Sequence, residues 1–301
     1  IWFLVTFCDM DRKIFFNLTI YDLWKLFGAT ILFFLALVLG VKEVWEPATI
    51  IQIDYLAEET KPDHQSAEWK PTSDPLTLLC RKNQILCDKI VWTGAISDQE
   101  KLSYATQYVE IIQFLDQHLI KWADIKQVFK TLIINGEKGK RRGGATWKRI
   151  TMNLASMGDP SEFWGVLTHE FGHIVDLGVL YGNSEIKNGN YTEFGKVKFA
   201  IDDPSLEYYK YSRLSENTRN QSMKKKDFCS GYGMTNPFED FAECHNLYLN
   251  NKKLFKTMAS ETQVMKNKYN FFANLFGNQA LQEGNQELLY TERRPRDTTV
   301  L

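Results

Sequence analysis

Two histidines and one glutamate within five residues are the part of this 301-residue sequence best suited to chemistry. His169 and His173 are four positions apart, so in a helix both imidazole rings leave the same face and can bind one metal ion. Glu170 flanks that face, where its carboxylate can hold a metal-bound water and accept its proton. This His-Glu-x-x-His spacing predicts a Zn²⁺ site with His169 and His173 as ligands and Glu170 as the general base.

A catalytic zinc needs a third protein ligand and an open position for water. One known solution places a glycine three residues, and a third histidine six residues, after the second histidine of the motif. Asp176 and Val179 stand at those two positions, which excludes that solution. The third ligand must therefore come from another part of the chain.

Two glutamates further along the chain can complete the site. Glu239 and Glu243 lie four apart, on one face of a helix predicted to begin at residues 236–237, which read Asn-Pro. We predict that Glu239 binds the metal and that Glu243 hydrogen-bonds the outer nitrogen of a metal-binding histidine. Asp240 and His245 point about 100° and 240° away from Glu239 around this helix and are poor ligand candidates.

The combination of this histidine motif with Glu239 and Glu243 resembles the gluzincin metallopeptidases. More narrowly, residues 169–176 and 239–243 are similar to the catalytic domain of anthrax lethal factor and its relatives. The resemblance covers about 145–250 and implies a zincin-like fold and a zinc-dependent peptidase that hydrolyses peptides or proteins. It also implies that Tyr232, seven residues before Glu239, stabilises the oxyanion of the reaction intermediate.

The elements that must position these residues predict an α+β domain over residues 76–280, with a small sheet, an active-site helix and a mainly helical C-terminal part. Strand candidates span 128–134 and 145–154, with a hairpin or loop between them. Residues 149–154 of the second are expected to align an extended peptide substrate by β-pairing. Asp159 and Pro160 are expected to start the active-site helix, which should end near Asp176, before Gly178.

Other sequence signals predict helices before and after the active-site helix. A capping box at Ser97 and Glu100 predicts a helix with one buried stripe, formed by Ala105, Tyr108, Ile112, Leu115 and Leu119. Ser260 is expected to cap the last helix, and residues 179–228 form a long insertion of mixed charge. Residues 281–301 are expected to form a loose polar tail.

The N-terminal quarter predicts a location outside the cytoplasm. Residues 26–41 carry no charge and are expected to form one N-terminal hydrophobic helix, whose length is on the border between a signal segment and a transmembrane anchor. Three basic residues, Arg12, Lys13 and Lys25, precede this segment and only Lys42 follows it closely, so residues 1–25 are expected to be a cytoplasmic leader. The polar residues 42–75 are expected to be a linker. The domain beyond the linker would then be membrane-anchored or secreted.

The spacing of the cysteines is compatible with disulfides in an oxidising compartment, but it does not determine which cysteines pair. Proximity favours the pairs Cys80–Cys87 and Cys229–Cys244, but three pairings are possible, and buried free thiols are an equal alternative. A Cys229–Cys244 disulfide would hold the Glu239 helix against the loop that carries Tyr232.

The charge composition limits the classes of molecule that the protein is expected to bind. The chain has 36 basic and 37 acidic residues, so no bulk positive charge is available to hold nucleic acid. The expected partners are a peptide or protein substrate and, through residues 26–41, a membrane. An exported structural or adhesion module with a non-catalytic zinc site is the alternative function; a structural zinc normally has four protein ligands.

Overall fold

The computed structural model describes residues 74–119, 121–195, 197–284 and 294–300. The expectations for the leader, the hydrophobic segment 26–41 and nearly all of the linker lie outside these residues. Within them, no helix is both long enough and apolar enough to cross a membrane. The fold is α+β, with a small mixed sheet and many helices, so this part of the fold prediction is confirmed.

A disulfide-linked helical turn opens the described part of the chain. Cys80 and Cys87 form the first of the two expected disulfides. The elements here are α1 (Pro75–Lys82), α2 (Gln84–Cys87) and β1 (Ile90–Thr93).

The long helix α3 (Asp98–His118) follows, and it carries the capping box predicted from the sequence. The Ser97 hydroxyl oxygen accepts the backbone N–H of Glu100, whose carboxylate in turn accepts the Ser97 N–H. The predicted stripe along this helix is buried, as expected from its spacing. A short helix, α4 (Ile125–Val128), leads from it to the sheet.

The sheet has the strand order β1-β2-β4-β3, in which β2 is Thr131–Asn135, β3 is Gly143–Thr146 and β4 is Arg149–Asn153. β1, β2 and β4 are parallel, and β3 is antiparallel to β4. The predicted strand at 145–154 is therefore two strands joined by a hairpin, and the connection from β2 to β3 is a loop. β4 lies between β2 and β3, so β2 and β3 are not neighbours and β3 is at the edge of the sheet.

This order changes which strand can meet a substrate. Both sides of β4 are already paired, so the expected alignment of a peptide along residues 149–154 is wrong. The strand next to β4, β3, has one side without a partner strand among the described residues.

The predicted active-site helix, α5 (Glu162–Ile174), begins later than the sequence predicts, and the helical segment continues past its predicted end in a different form. The carboxylate of Asp159 accepts the N–H of Ser161 and so caps a tight turn that precedes the helix. At the other end the chain continues as one π-helical turn over Val175–Val179, closed by the N–H of Leu180 donating to Val175 O. Gly178 lies inside that turn and does not end it. The position requires glycine, because a Cβ there would be 2.5 Å from the carbonyl oxygen of Trp147.

The insertion after α5 is compact. Three of its tyrosines, Tyr191, Tyr208 and Tyr209, are fully buried and anchor it to the rest of the domain. Its elements are β5 (Lys187–Asn188), β6 (Phe199–Ala200), α6 (Pro204–Lys210), β7 (Arg213–Ser215) and β8 (Thr218–Arg219).

Three helices complete the described fold: α7 (Pro237–Asn250), α8 (Lys252–Ala259) and α9 (Gln263–Leu275). The predicted start of α7 is confirmed, because the Asn236 side chain accepts the N–H of Glu239 at 2.9 Å. Helix α9 starts two residues later than expected, with Thr262 in place of Ser260 as its cap.

Helices α5 and α7 pack at very short range. A Cβ on Gly172 would lie 2.8 Å from the Cα of Ala242, so only glycine allows this approach. A second disulfide, Cys229–Cys244, ties α7 to the loop before it, as proximity in the sequence suggested.

Residues 294–300 correct the expectation of a loose tail. Thr298 is 2% exposed and Thr299 is 7% exposed. The backbone carbonyls of Pro295 and Arg296 accept the N–H groups of Gly231 and Tyr232. The polar side chains of this segment, which indicated solvent exposure, serve instead as partners for buried polar groups.

Candidate metal centre

His169, His173 and Glu239 converge in the interior of the domain. Helix α5 supplies both rings from one face, and the first turn of α7 supplies the carboxylate. Glu239 Oε2 lies 3.2 Å from Nε2 of His169 and 3.4 Å from Nε2 of His173. One ligand atom from each of the three residues lies within 4.8 Å of the others, so the group could hold a metal ion.

The distances from Glu239 to the two rings fit a small tetrahedral ion. Two donor atoms bonded to zinc at about 2.0–2.1 Å, at the tetrahedral angle, are about 3.3–3.4 Å apart. The distances from Glu239 to His169 and His173 lie within about 0.2 Å of that range. In the part of the chain that the structure describes, no fourth histidine, cysteine or carboxylate joins the group.

Glu243 lies where the sequence predicted. Its Oε1 is 2.9 Å from Nδ1 of His169, the ring nitrogen turned away from Glu239. Its other oxygen accepts the backbone N–H of Thr298 at 2.7 Å. The carboxylate is thus fixed from both sides and holds the orientation of the His169 ring.

Glu170 is poised beside the metal-binding group. The residue is 6% exposed, and its Oε2 has no hydrogen-bond partner among the described residues. Burial raises the pKa of Glu170 above its ordinary value, which suits a carboxylate that must accept and then release a proton.

Strand β3 lies directly against Glu170. A Cβ on Gly143 would be 2.6 Å from Oε1 of Glu170 and 2.7 Å from Val166. The missing side chain at this position lets β3 and α5 approach each other. On Gly144, by contrast, a Cβ would meet no atom within 4 Å.

Tyr232 also lies at the site. Its hydroxyl donates to Oε1 of Glu239 at 3.0 Å, and its ring centroid is 6.2 Å from that of His169. The Cys229–Cys244 disulfide and the backbone bond from Tyr232 N–H to Arg296 both hold the loop that carries it.

The electrostatics of the site favour a cation. Burial lowers the pKa of His173, but Glu239 more than reverses this effect and raises that pKa to about 9. Burial also lowers the pKa of His169, and there the contacts with Glu239 and Glu243 raise it well above its ordinary value. Carboxylates that attract protons to the two rings also attract a divalent ion, whose binding releases those protons.

Sequence reasoning missed two parts of the site. Glu193, from the insertion, places Oε1 3.8 Å from Nδ1 of His173, and burial raises its pKa to about 7. Residues 294–300 supply Thr298 to Glu243 and Asp297 to an ion pair with Arg142. Neither part has a motif or a periodic spacing, so no signal in a single sequence could have found them.

The two side chains rejected as ligands are used elsewhere. His245 is buried, with Nδ1 3.1 Å from the Thr168 carbonyl oxygen. Asp240 pairs with the buried Lys268 at 2.6 Å and accepts the Ser212 hydroxyl. Both support the packing of α7 against its neighbours.

Comparisons of this chain with known protein families, with curated proteins and with solved structures found no match.

The roles of Glu239 and Glu243 are separable by metal titration. Glu239→Ala removes a direct ligand and should leave little bound zinc, whereas Glu243→Ala should weaken zinc binding by ~10–100-fold. Titration of both variants with zinc against a competing chelator measures this difference. If Glu243→Ala is the variant that empties the site, the ligand position is one helical turn further along α7.

Thr298→Pro tests the support from residues 294–300. The substitution removes the N–H that Glu243 accepts, so zinc affinity should fall by ~10-fold or more because the His169 ring loses its fixed partner. Thr298→Ser keeps both the N–H and a hydroxyl and is the matched control. Equal zinc affinity in the two variants, with similar urea unfolding curves, would contradict this role.

Proposed function

We propose that this protein is a zinc-dependent metallopeptidase of the gluzincin type. The single observation that carries the proposal is the convergence of His169, His173 and Glu239 beside a buried Glu170, whose Oε2 has no hydrogen-bond partner in the described part of the chain. Two imidazoles and one carboxylate form a donor set typical of catalytic zinc, and a three-ligand set leaves one position open. A structural or adhesion role for the metal is less well supported, because a structural zinc normally has four protein ligands.

Zinc bound at this site would lower the pKa of a water ligand to about 7 and polarise the carbonyl of the substrate. Glu170 would take the proton of the attacking water and deliver it to the leaving amide nitrogen. Its raised pKa and its free oxygen support both steps.

Tyr232 is the best candidate to stabilise the oxyanion. Its hydroxyl is within 3.0 Å of Glu239 and therefore close to the metal-binding group. Rotation of that hydroxyl from the carboxylate to a substrate oxygen would add one donor as charge develops there.

The free side of β3 would align the substrate. Asn153 N–H donates to Arg142 O, so residues 142, 144 and 146 are the positions bonded to β4. The backbone groups of Gly143 and Ala145 then point away from β4, next to Glu170. An extended peptide can pair with them and present its carbonyl to the catalytic carboxylate.

The two disulfides support a location outside the cytoplasm, since such bonds persist in oxidising compartments. Anchoring through residues 26–41 stays a prediction from the sequence.

Glu170→Gln tests the catalytic role directly. The change keeps the size of the side chain and removes the base, so zinc should remain bound while peptide turnover falls by ~10²–10⁴-fold. Zinc content and cleavage of a peptide library are measured on the same preparation. Loss of the metal together with activity would mean that Glu170 is a ligand.

Gly143→Ala and Gly144→Ala form a matched pair on β3. The methyl group at position 143 would collide with Glu170 and Val166, so turnover should fall by up to ~10²-fold through displacement of the base. The same change at position 144 meets open space and should leave turnover near that of the unmodified protein. Equal rates in the two variants would show that β3 does not constrain the catalytic carboxylate.

A further inference from the structure

The loop between β2 and β3 carries an excess of positive charge next to the site. Its four cations are Lys138, Lys140, Arg141 and Arg142, against one anion, Glu137. Arg142 is neutralised by Glu162 and Asp297 at 2.8 and 2.9 Å. The other three cations are exposed and form no ion pair with any residue that the structure describes.

The backbone of this loop is held in place. The Ser156 hydroxyl accepts the N–H of Gly139 and donates to its carbonyl, at 2.9 and 3.0 Å. The Asn153 side chain donates to the carbonyl of Arg141 at 2.9 Å. The cations are therefore presented from a fixed backbone, which reduces the entropy lost when a charged partner binds.

The loop leads directly into the free side of β3. Arg141 is two residues before Gly143, the position in closest contact with Glu170. Arg141 is also close enough to Glu170 and Tyr232 to affect their pKa values electrostatically, in each case less strongly than burial does. A peptide that pairs with β3 and passes Glu170 must then continue along the three unpaired cations.

We propose that the preferred substrate is an extended polypeptide with acidic residues on one side of the scissile bond, the side that passes residues 138–141. This inference rests on the proposed peptidase function and deepens it by naming the substrate class. Charge complementarity supplies the preference, while pairing with β3 supplies the position.

The experiment uses peptides of equal length in which aspartate is moved one position at a time through an otherwise neutral sequence. Cleavage rates are measured for the full chain, for a Lys138→Glu/Lys140→Glu/Arg141→Glu variant and for Lys148→Glu. Lys148 is an exposed cation in the hairpin at the other end of β3, so its variant is a control for a charge reversal away from residues 138–141.

We expect kcat/KM to rise about threefold to fivefold for each well-placed aspartate, as for exposed ion pairs, and to lose this gain at high salt. The preference should reverse in the triple variant and persist in Lys148→Glu. Equal loss in both variants, or no dependence on aspartate position, would overturn the inference.

Peptide binding to the Glu170→Gln variant separates this inference from the proposed function. Fluorescence anisotropy of acidic and neutral peptides is measured with and without the triple substitution. Acidic peptides that bind through residues 138–141 without being cleaved by the unmodified protein would leave the inference standing and reject the peptidase function. Cleavage without any preference for acidic peptides would support the peptidase function and reject the inference.

Discussion

The approach of α5 to α7 at Gly172 is the constraint on which the rest of the site depends. A single methyl group there would meet the backbone of Ala242 at 2.8 Å, and the two helices would have to separate. Glu239 reaches two rings on α5 only because α7 lies so close. A small displacement matters greatly, since metal–ligand distances tolerate only about 0.2 Å.

The sequence was informative wherever the geometry is local. The two histidines share a helix, and so do Glu239 and Glu243, so spacings of four residues were enough to place each pair on one face. The caps at Ser97 and Asn236 were recognisable for the same reason. What these elements had in common is that each depends on neighbours within about one helical turn.

The sequence was uninformative where contacts are distant. Thr298 reaches Glu243 from 55 residues away, and its polar surroundings looked like a solvated tail. The sequence did not reveal that β2 pairs with β4 and leaves β3 at the edge, because strand order depends on contacts that no alternation of residues encodes. Asp159 gave a misleading helix start, since a tight turn uses the same cap as an α-helix.

The bond between Thr298 and Glu243 has a consequence for the order in which the protein is made. Chains emerge from the ribosome starting at the N-terminus, and both histidines and Glu239 are synthesised long before residue 298. Until that residue emerges, Glu243 lacks the N–H that fixes it, and the His169 ring lacks a firmly held partner. The candidate metal centre therefore gains its complete set of contacts only after residue 298 has been synthesised.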